Sequence, residues 1–288
     1  MRIAIFGATG VVGRALLPLL TPEHEVVAVS RSARPAEPGI HWIEGDAGSA
    51  ADVGRAVEEA EVVLYLVHSL GSRNFEEEDR VAAGNVASAA EQAGVRQIVY
   101  LGGLGDDAAG ASAHLRSRRE TGERLAGGSV PVTTLRAAMI VGKGSAAFET
   151  IVALVDRLPA MITPRWVSTP TQPIALDDIA RYLAGVCGNE AALAGSFDAG
   201  GPEVMTYRRM IERIASLRGR RPRLLEVPVL TPRLSSLWLH LVTPVNASVA
   251  RPLIEGLKNP TIAREERLRT LLPFELTPFD AAAKQALL

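Results

Sequence analysis

The chain has 288 residues, 47% hydrophobic and 22% charged, with a formal net charge of −1. That length buries a full core, as one large domain or one and a half, and the near-neutral balance offers no basic field to recruit nucleic acid. A single cysteine, Cys187, excludes an intrachain disulfide framework and any Cys-x-x-Cys metal or redox site.

The opening run "MRIAIF" is apolar and rich in β-favouring residues, and reads as a buried first strand. It enters the strand at residue 2, which leaves no room for a signal peptide. No window approaches the roughly 18 uninterrupted apolar residues of a membrane span. The expectation is a cytoplasmic protein. Within "IFGATGVVGR" (Ile5 to Arg14) the glycines Gly7, Gly10 and Gly13 stand three apart, and the apolar run "VVGRALLPLL" follows as a helix. Strand, glycine turn and helix together aim free backbone N–H groups and the positive helix end at a phosphate. Gly7 permits the turn, Gly10 lets the backbone approach a pyrophosphate, and Gly13 lets the helix pack on the strand. The plain alternative is a strand-to-helix turn with no ligand. Pro18, inside the helix, is expected to kink it.

Further strands are predicted at "EVVAVS" (25–30), "IHWIEGD" (40–46), "EVVLYLV" (61–67), "QIVYLGG" (97–103) and "PVTTLRA" (131–137). Helical patterns separate them at 50–60, 74–94 and 113–127. Asn74 and the acids after it suit a helix start, and Gly94 suits its end. This alternation predicts an α/β fold, a Rossmann-type doubly wound parallel sheet. From about Gly142 the register loosens, and prolines at 159, 164, 170 and 173 mark a loop-rich stretch. "PIALDDIARYLAGVC" (173–187) then gives a short strand and a helix, with Asp177 or Asp178 as the expected N-cap. "GSFDAGG" (195–201) reads as one more sheet strand. The expected organisation is a core over 1–142, a substrate-region loop over 143–172, a return to the core over 173–200, and a mostly helical substrate or interaction region over 201–288.

On these residues the chain resembles the short-chain dehydrogenase/reductase superfamily in its extended or atypical branch. "GATGVVG" has that branch's GxxGxxG form, "EGDAGS" is similar to its third-strand motif, and "VVLYLVHS" stands where its fourth strand borders the cofactor. "TQPIALDDIARYL" is similar to its late strand–Asp–helix element. "HLRSRRETGE", "LRAAMIVGKGS" and "TPRWVSTPTQPI" resemble the bacterial NAD(P)H-binding proteins of the NmrA-like and complex I accessory-subunit neighbourhood. The resemblance covers residues 1–200 well and the tail more loosely. It implies adenine recognition by Asp46. With Thr9, Val11 and Val12 of the loop, Ala47, Leu66, Val67, His68 and Gly102, it completes an expected cofactor-binding set.

An acid commonly ends the second strand of NAD-preferring Rossmann folds and binds the ribose 2′-hydroxyl. Here the strand ends "VSRSAR", with Ser30 and Arg31 in that place and Ser32 and Arg34 beyond. Arginine's planar fork matches a 2′-phosphate, so NADP(H) is expected over NAD(H). Solvated loop arginines are the plain alternative.

The superfamily's usual chemistry uses a Ser, with a Tyr and a Lys four apart on the helix after the fifth strand; the cation lowers the tyrosine's pKa. The four tyrosines, Tyr65, Tyr100, Tyr182 and Tyr207, are followed four residues on by Ser69, Leu104, Val186 and Ile211, so no YxxxK occurs. On the expected helix the pair is His114 with Arg118 or Leu115 with Arg119, according to register. Two readings stay open. The protein is an oxidoreductase for a hydrophobic carbonyl or quinone-like substrate, with His114, His68 and Lys143 as candidate catalytic groups. Alternatively it is a non-catalytic NADP(H)-binding sensor or accessory protein with a protein partner. A sugar-nucleotide epimerase or dehydratase is a third and weaker reading. For each histidine the plain alternative is a cap or a surface group.

The tail segment 230–257 is unusually apolar, with Leu234, Leu237, Trp238 and Leu241 at helical spacing. It reads as a helix packed on the core, as a pocket wall for a bulky apolar substrate, or as an interfacial helix in peripheral contact with a membrane. Arg165 and Trp166 are expected to line the same pocket.

Overall fold

The computed structural model describes residues 1–69, 72, 74–105, 112–158, 160–163, 165–226 and 257–288. Seven strands, β1 (Arg2–Phe6), β2 (Glu25–Ser30), β3 (Ile40–Glu44), β4 (Val62–Tyr65), β5 (Gln97–Gly103), β6 (Val132–Ala137) and β7 (Ser196–Ala199), form one sheet in the order β7-β6-β5-β4-β1-β2-β3. Every pairing is parallel. Strand order reverses between β1 and β4, where Phe6 lies opposite Val29 on one side and Tyr65 on the other. A crevice outside the carboxyl ends of the strands opens at such a switch point.

Both faces of the sheet are covered, so the strands are apolar at consecutive positions rather than at alternate ones. Ile3 and Ile5 of β1 and Val62 and Leu64 of β4 pack on α1 (Val11–Leu20) and α6 (Leu176–Val186). Ala4, Phe6, Val63 and Tyr65 point the other way, into a core shared with α2 (Ala50–Val57), α3 (Phe75–Gln92) and α4 (Ala113–Leu125). α3 ends at Gly94, whose φ of 70° is the left-handed conformation glycine adopts without strain. Its N-cap is Asn74, which makes no side-chain capping bond.

Two local expectations change. Pro18 lies within α1, which runs on to Leu20. The proline sits on the exposed face two residues from the end, where the missing N–H leaves no buried acceptor unmet. Neither Asp177 nor Asp178 caps α6; Ala175 holds the N-cap position, with both acids in the first turn. Their carboxylates are drawn away by tertiary partners: Asp178 accepts from the backbone N–H and hydroxyl of Thr277, and Asp177 accepts from Gln285.

The stretch expected as loop over 143–172 contains α5 (Ala146–Arg157), whose Phe148, Ile151, Leu154 and Val155 form a buried stripe. That stripe meets Met210, Ile211 and Ile214 of α7 (Tyr207–Leu217) and Phe279, Ala282 and Ala283 of a C-terminal helix, Phe279–Ala286, in a separate apolar core. Arg136 on β6 pairs with Asp198 on β7 at 2.6 Å, and Asp198 also accepts from the N–H of Arg264. The segment after 257 is thereby fastened to the sheet edge. The apolar segment 230–257 lies, but for Leu257, outside the described residues, as do the side chains of Arg165 and Trp166.

Candidate functional site

The glycine loop is built to keep side chains out of the crevice. Gly7 has φ of 90°, and a Cβ there would lie 2.9 Å from the carbonyl group of Leu66. A Cβ on Gly13 would overlap the carbonyl oxygen of Gly7, so the start of α1 sits directly on the turn. Gly10 is the N-cap of α1 and makes no side-chain capping bond; its own N–H donates to Gly7 at 3.0 Å. The first-turn N–H groups therefore remain available to an anion at the positive end of the helix.

A cavity of about 830 Å3 opens in front of this loop. That volume falls within the ordinary range for cofactor sites. Gly7, Thr9 and Gly10 wall it at the loop, Ser30 and Arg31 at the end of β2, Asp46 and Ala47 after β3, and Leu66, Val67 and His68 after β4. The start of α3 closes it with Glu77, Glu78, Val81 and Ala82. Val11, Val12 and Gly13 stand behind the wall in the first turn of α1, and Gly102 lies within β5 beneath the ring of Tyr100. A cavity of this volume, with an open helix end and a glycine loop at its wall, fits a dinucleotide.

At the β2 end, the hydroxyl oxygen of Ser30 accepts from the N–H of Ser32 at 3.3 Å and from Nε of Arg34 at 3.4 Å. Arg34 also lies over the Trp42 ring, 5.8 Å from its centre. Ser32 and Arg34 thus shape the loop, and Arg31 is the cation at the cavity wall. After β3, the carboxylate of Asp46 accepts from the N–H of Gly48 at 2.7 Å, which curls the chain around the cavity floor.

At the β4 end the structure joins two residues that sequence reasoning had proposed separately. Nε2 of His68 lies 2.9 Å from Nδ1 of His114, and Nδ1 of His68 lies 3.0 Å from a carboxylate oxygen of Asp79. Asp79 accepts in addition from the backbone N–H of Ser69 at 2.9 Å and from the hydroxyl of Ser117 at 3.0 Å. Burial works against the charge on Asp79, but the bonds from His68, Ser69 and Ser117 outweigh it and hold the carboxyl below its usual range. Burial also lowers the imidazole of His68, the bond to Asp79 opposing it. Burial, with the nearby charges of His68 and Arg118, lowers His114 to about 3.

The register of α4 settles on His114 with Arg118. Leu115 is buried and Arg119 is exposed. Arg118 is buried too, donating to the carbonyl oxygens of Val67 and Leu101 at the ends of β4 and β5. Its guanidinium fastens the two strand ends that frame His68. Lys143, in the turn after residue 142, is exposed and does not line the cavity. Sequence reasoning missed Asp79, whose signal lay in its spacing: it stands three, four and seven residues before the buried Ala82, Ala83 and Val86, a carboxylate inside an apolar stripe.

Residues 7–138 match a family described as NAD(P)H-binding. The chain is 23% identical over 239 residues to the mitochondrial NADH dehydrogenase [ubiquinone] 1 alpha subcomplex subunit 9 of Arabidopsis thaliana, covering 78% of this chain and 60% of that protein. The chain thus spans less than two thirds of that relative's length. Among solved structures, the triphenylmethane reductase of Citrobacter sp. complexed with NADP(H) superposes with a TM-score of 0.79 at 20% identity, covering 99% of this chain and 100% of that one. An NADPH-dependent quinone oxidoreductase from Escherichia coli superposes with a TM-score of 0.76 at 20% identity, covering 100% and 98%. Among the described residues, no helix is long and apolar enough to cross a membrane. The loop, the switch-point cavity and these matches agree: residues 7–138 match an NAD(P)H-binding family, and the chain has the Rossmann fold of these solved structures.

Proposed function

We propose that this chain is an NADP(H)-dependent oxidoreductase that reduces a small apolar carbonyl or quinone-like substrate, with His114 and His68 in place of a Ser–Tyr–Lys set. The observation that carries this reading is the 2.9 Å contact between the two imidazoles, one of which lines the cofactor cavity. A protein that only binds a nucleotide has no need of two linked proton carriers beside it. When bound, a reduced nicotinamide supplies hydride; the chain's own groups supply orientation and a proton. A quinone or an enone delocalises the charge left by hydride, so it asks less of the acid than an isolated ketone does.

The preference for NADP(H) rests on Arg31, which lines the cavity where an acid would favour NAD(H). The likeness in fold to a triphenylmethane reductase and a quinone oxidoreductase supports an apolar acceptor.

The test follows nicotinamide absorbance after the protein and NADPH are mixed with a panel of hydrophobic quinones and enones, with NADH run in parallel. Protein-dependent oxidation, faster with NADPH and slowed in His114→Gln and His68→Gln, is the expected result. Tight binding of NADPH with no oxidation across the panel would replace this reading with a non-catalytic sensor or accessory protein.

A further inference from the structure

We propose that Asp79 is a positioning residue that fixes the tautomers of both imidazoles, so that Nε2 of His114 is the atom at which the pair exchanges its proton with substrate. The inference rests on the oxidoreductase reading above and adds to it the polarity of the site.

The argument is one of hydrogen-bond valence. An ionised carboxylate only accepts. Asp79 already accepts from Ser69 and Ser117, and it faces Nδ1 of His68, so that nitrogen carries the proton. In a neutral imidazole the other nitrogen is then an acceptor. Nε2 of His68 must therefore receive a hydrogen bond across its 2.9 Å contact, and Nδ1 of His114 must donate it. Nε2 of both rings is then without a proton; that of His68 accepts from His114, and among the described residues nothing bonds to that of His114. Among the described residues, the groups around the pair are Asp79 on α3, Ser117 and Arg118 on α4, and Tyr65 on β4, whose phenol is pushed up by burial and by Asp79. Arg118 disfavours any added positive charge, while among the described residues Asp79 is the counter-charge, hydrogen-bonded to His68 rather than to His114.

One extra proton converts the pair into an acid. It rests on His68 beside Asp79; Nε2 of His68 then donates to Nδ1 of His114, and Nε2 of His114 carries a proton outward. In the reduction of a carbonyl, hydride adds to carbon and the C=O π pair moves to oxygen. Oxygen takes the proton from Nε2 of His114, Nδ1 of His114 takes the one from Nε2 of His68, and His68 keeps its Nδ1 proton toward Asp79. Solvent returns one proton to the pair for the next turnover. The reverse reaction runs the same transfers backwards.

The test is 15N NMR of the imidazole nitrogens in the full-length protein at neutral pH, without substrate. In the wild type, Nδ1 of both rings should read as protonated and Nε2 of both as bare. In Asp79→Asn the amide NH2 can donate to His68, so both tautomers should invert, and turnover should fall roughly 10²-fold or more. Ser117→Ala removes one support but keeps the carboxylate, so its tautomers should match the wild type. A protonated Nε2 on His114 in the resting wild type would overturn the inference, whether or not the Asn variant folds. Unchanged tautomers in a folded Asn variant would overturn it as well. The expected tautomers with no turnover on any acceptor would instead sink the oxidoreductase reading alone.

Discussion

The hydroxyl of Tyr100 donates to the carbonyl oxygen of Arg118 at 2.7 Å, while the guanidinium of the same arginine lies 5.1 Å from the centre of that tyrosine's ring. Strand β5 and helix α4 are thus joined at both ends of a single residue. The guanidinium fork continues to two carbonyls, that of Val67 just after β4 and that of Leu101 near the end of β5. Lysine has one compact donor group and cannot serve both acceptors with the same geometry. Arg118→Lys should therefore lower stability by about 1–2 kcal/mol and Arg118→Met by about 2–3 kcal/mol, through unmet buried acceptors. Urea denaturation of the three proteins checks the order; equal midpoints would show that the fork does not hold the strands.

A second prediction concerns the glycine loop. Gly13→Ala places a methyl group against the Gly7 carbonyl oxygen, where only backbone can yield, so it should abolish NADPH binding and lower the melting temperature. Gly10→Ala meets that oxygen at 3.2 Å and should weaken binding while leaving the fold intact. Gly54→Ala in α2 meets nothing within 4 Å. It should raise stability by about 0.5–1 kcal/mol through unfolded-chain entropy and helix propensity. Cofactor fluorescence titrations and thermal melts of the three variants give the comparison.

The sheet strands were legible because each is a short β-favouring run bounded by turn residues, and because burial on both faces writes apolar residues at consecutive positions. The glycine loop was legible for the same local reason. What escaped depended on distance in the chain. Asp178 looked like a helix cap because two acids stand at the helix start; its actual partner, Thr277, is 99 residues away. Helix α5 was hidden by the prolines that follow it, although its Phe148, Ile151 and Leu154 are spaced for one face. His68 and His114 could each be picked out as proton carriers, but no local pattern says that residues 46 apart will touch. The register of α4 was undecided because that helix is rich in charge and carries a weak apolar stripe; Leu115 and Leu125 are its only buried apolar residues.

Asp178 offers a third prediction. It is 1% exposed and accepts twice from Thr277, which ties the chain before the last helix to α6. Removing the carboxylate leaves the part-buried backbone N–H and hydroxyl of Thr277 without this partner. Asp178→Ala should cost about 2–3 kcal/mol, whereas Asp177→Ala, at an exposed contact with Gln285, should change stability by less than about 0.5 kcal/mol. Hydrogen exchange over 277–288 should quicken in the first variant and not in the second.

Cofactor choice gives a fourth. Arg31 lines the cavity and pairs with no carboxylate among the described residues, while Arg34 is occupied with Ser30 and Trp42. Arg31→Glu should weaken NADPH binding about tenfold or more, a change of ~1.4 kcal/mol, and leave NADH binding level or improved, since a carboxylate accepts from a ribose hydroxyl. Arg34→Ala should affect both cofactors alike by loosening the loop. Parallel titrations with the two cofactors decide the matter; a uniform loss in Arg31→Glu would mean that Arg31 does not read the 2′ position.

The imidazole pair also dictates how stability responds to acid. In the unfolded chain a histidine titrates near 6.5, whereas His114 in the fold is lowered to about 3, first by burial and then by the charges of His68 and Arg118. Between those values the unfolded state binds a proton at this ring that the folded state refuses, so stability rises with pH across that interval and is lost as pH falls from about 6.5 toward 3. His68 acts in the same sense, since burial lowers it as well. Asp79 adds a separate loss at lower pH: its folded pKa lies below the ordinary 3.8, so the stability it contributes is present above that value and disappears as pH falls through its folded pKa. Glutamine keeps a polar amide at position 114 without a titrating proton. Denaturant midpoints measured from pH 7 to pH 4 should therefore fall steeply in the wild type and less steeply in His114→Gln. Parallel slopes for the two proteins would show that His114 titrates as freely in the fold as it does in the unfolded chain.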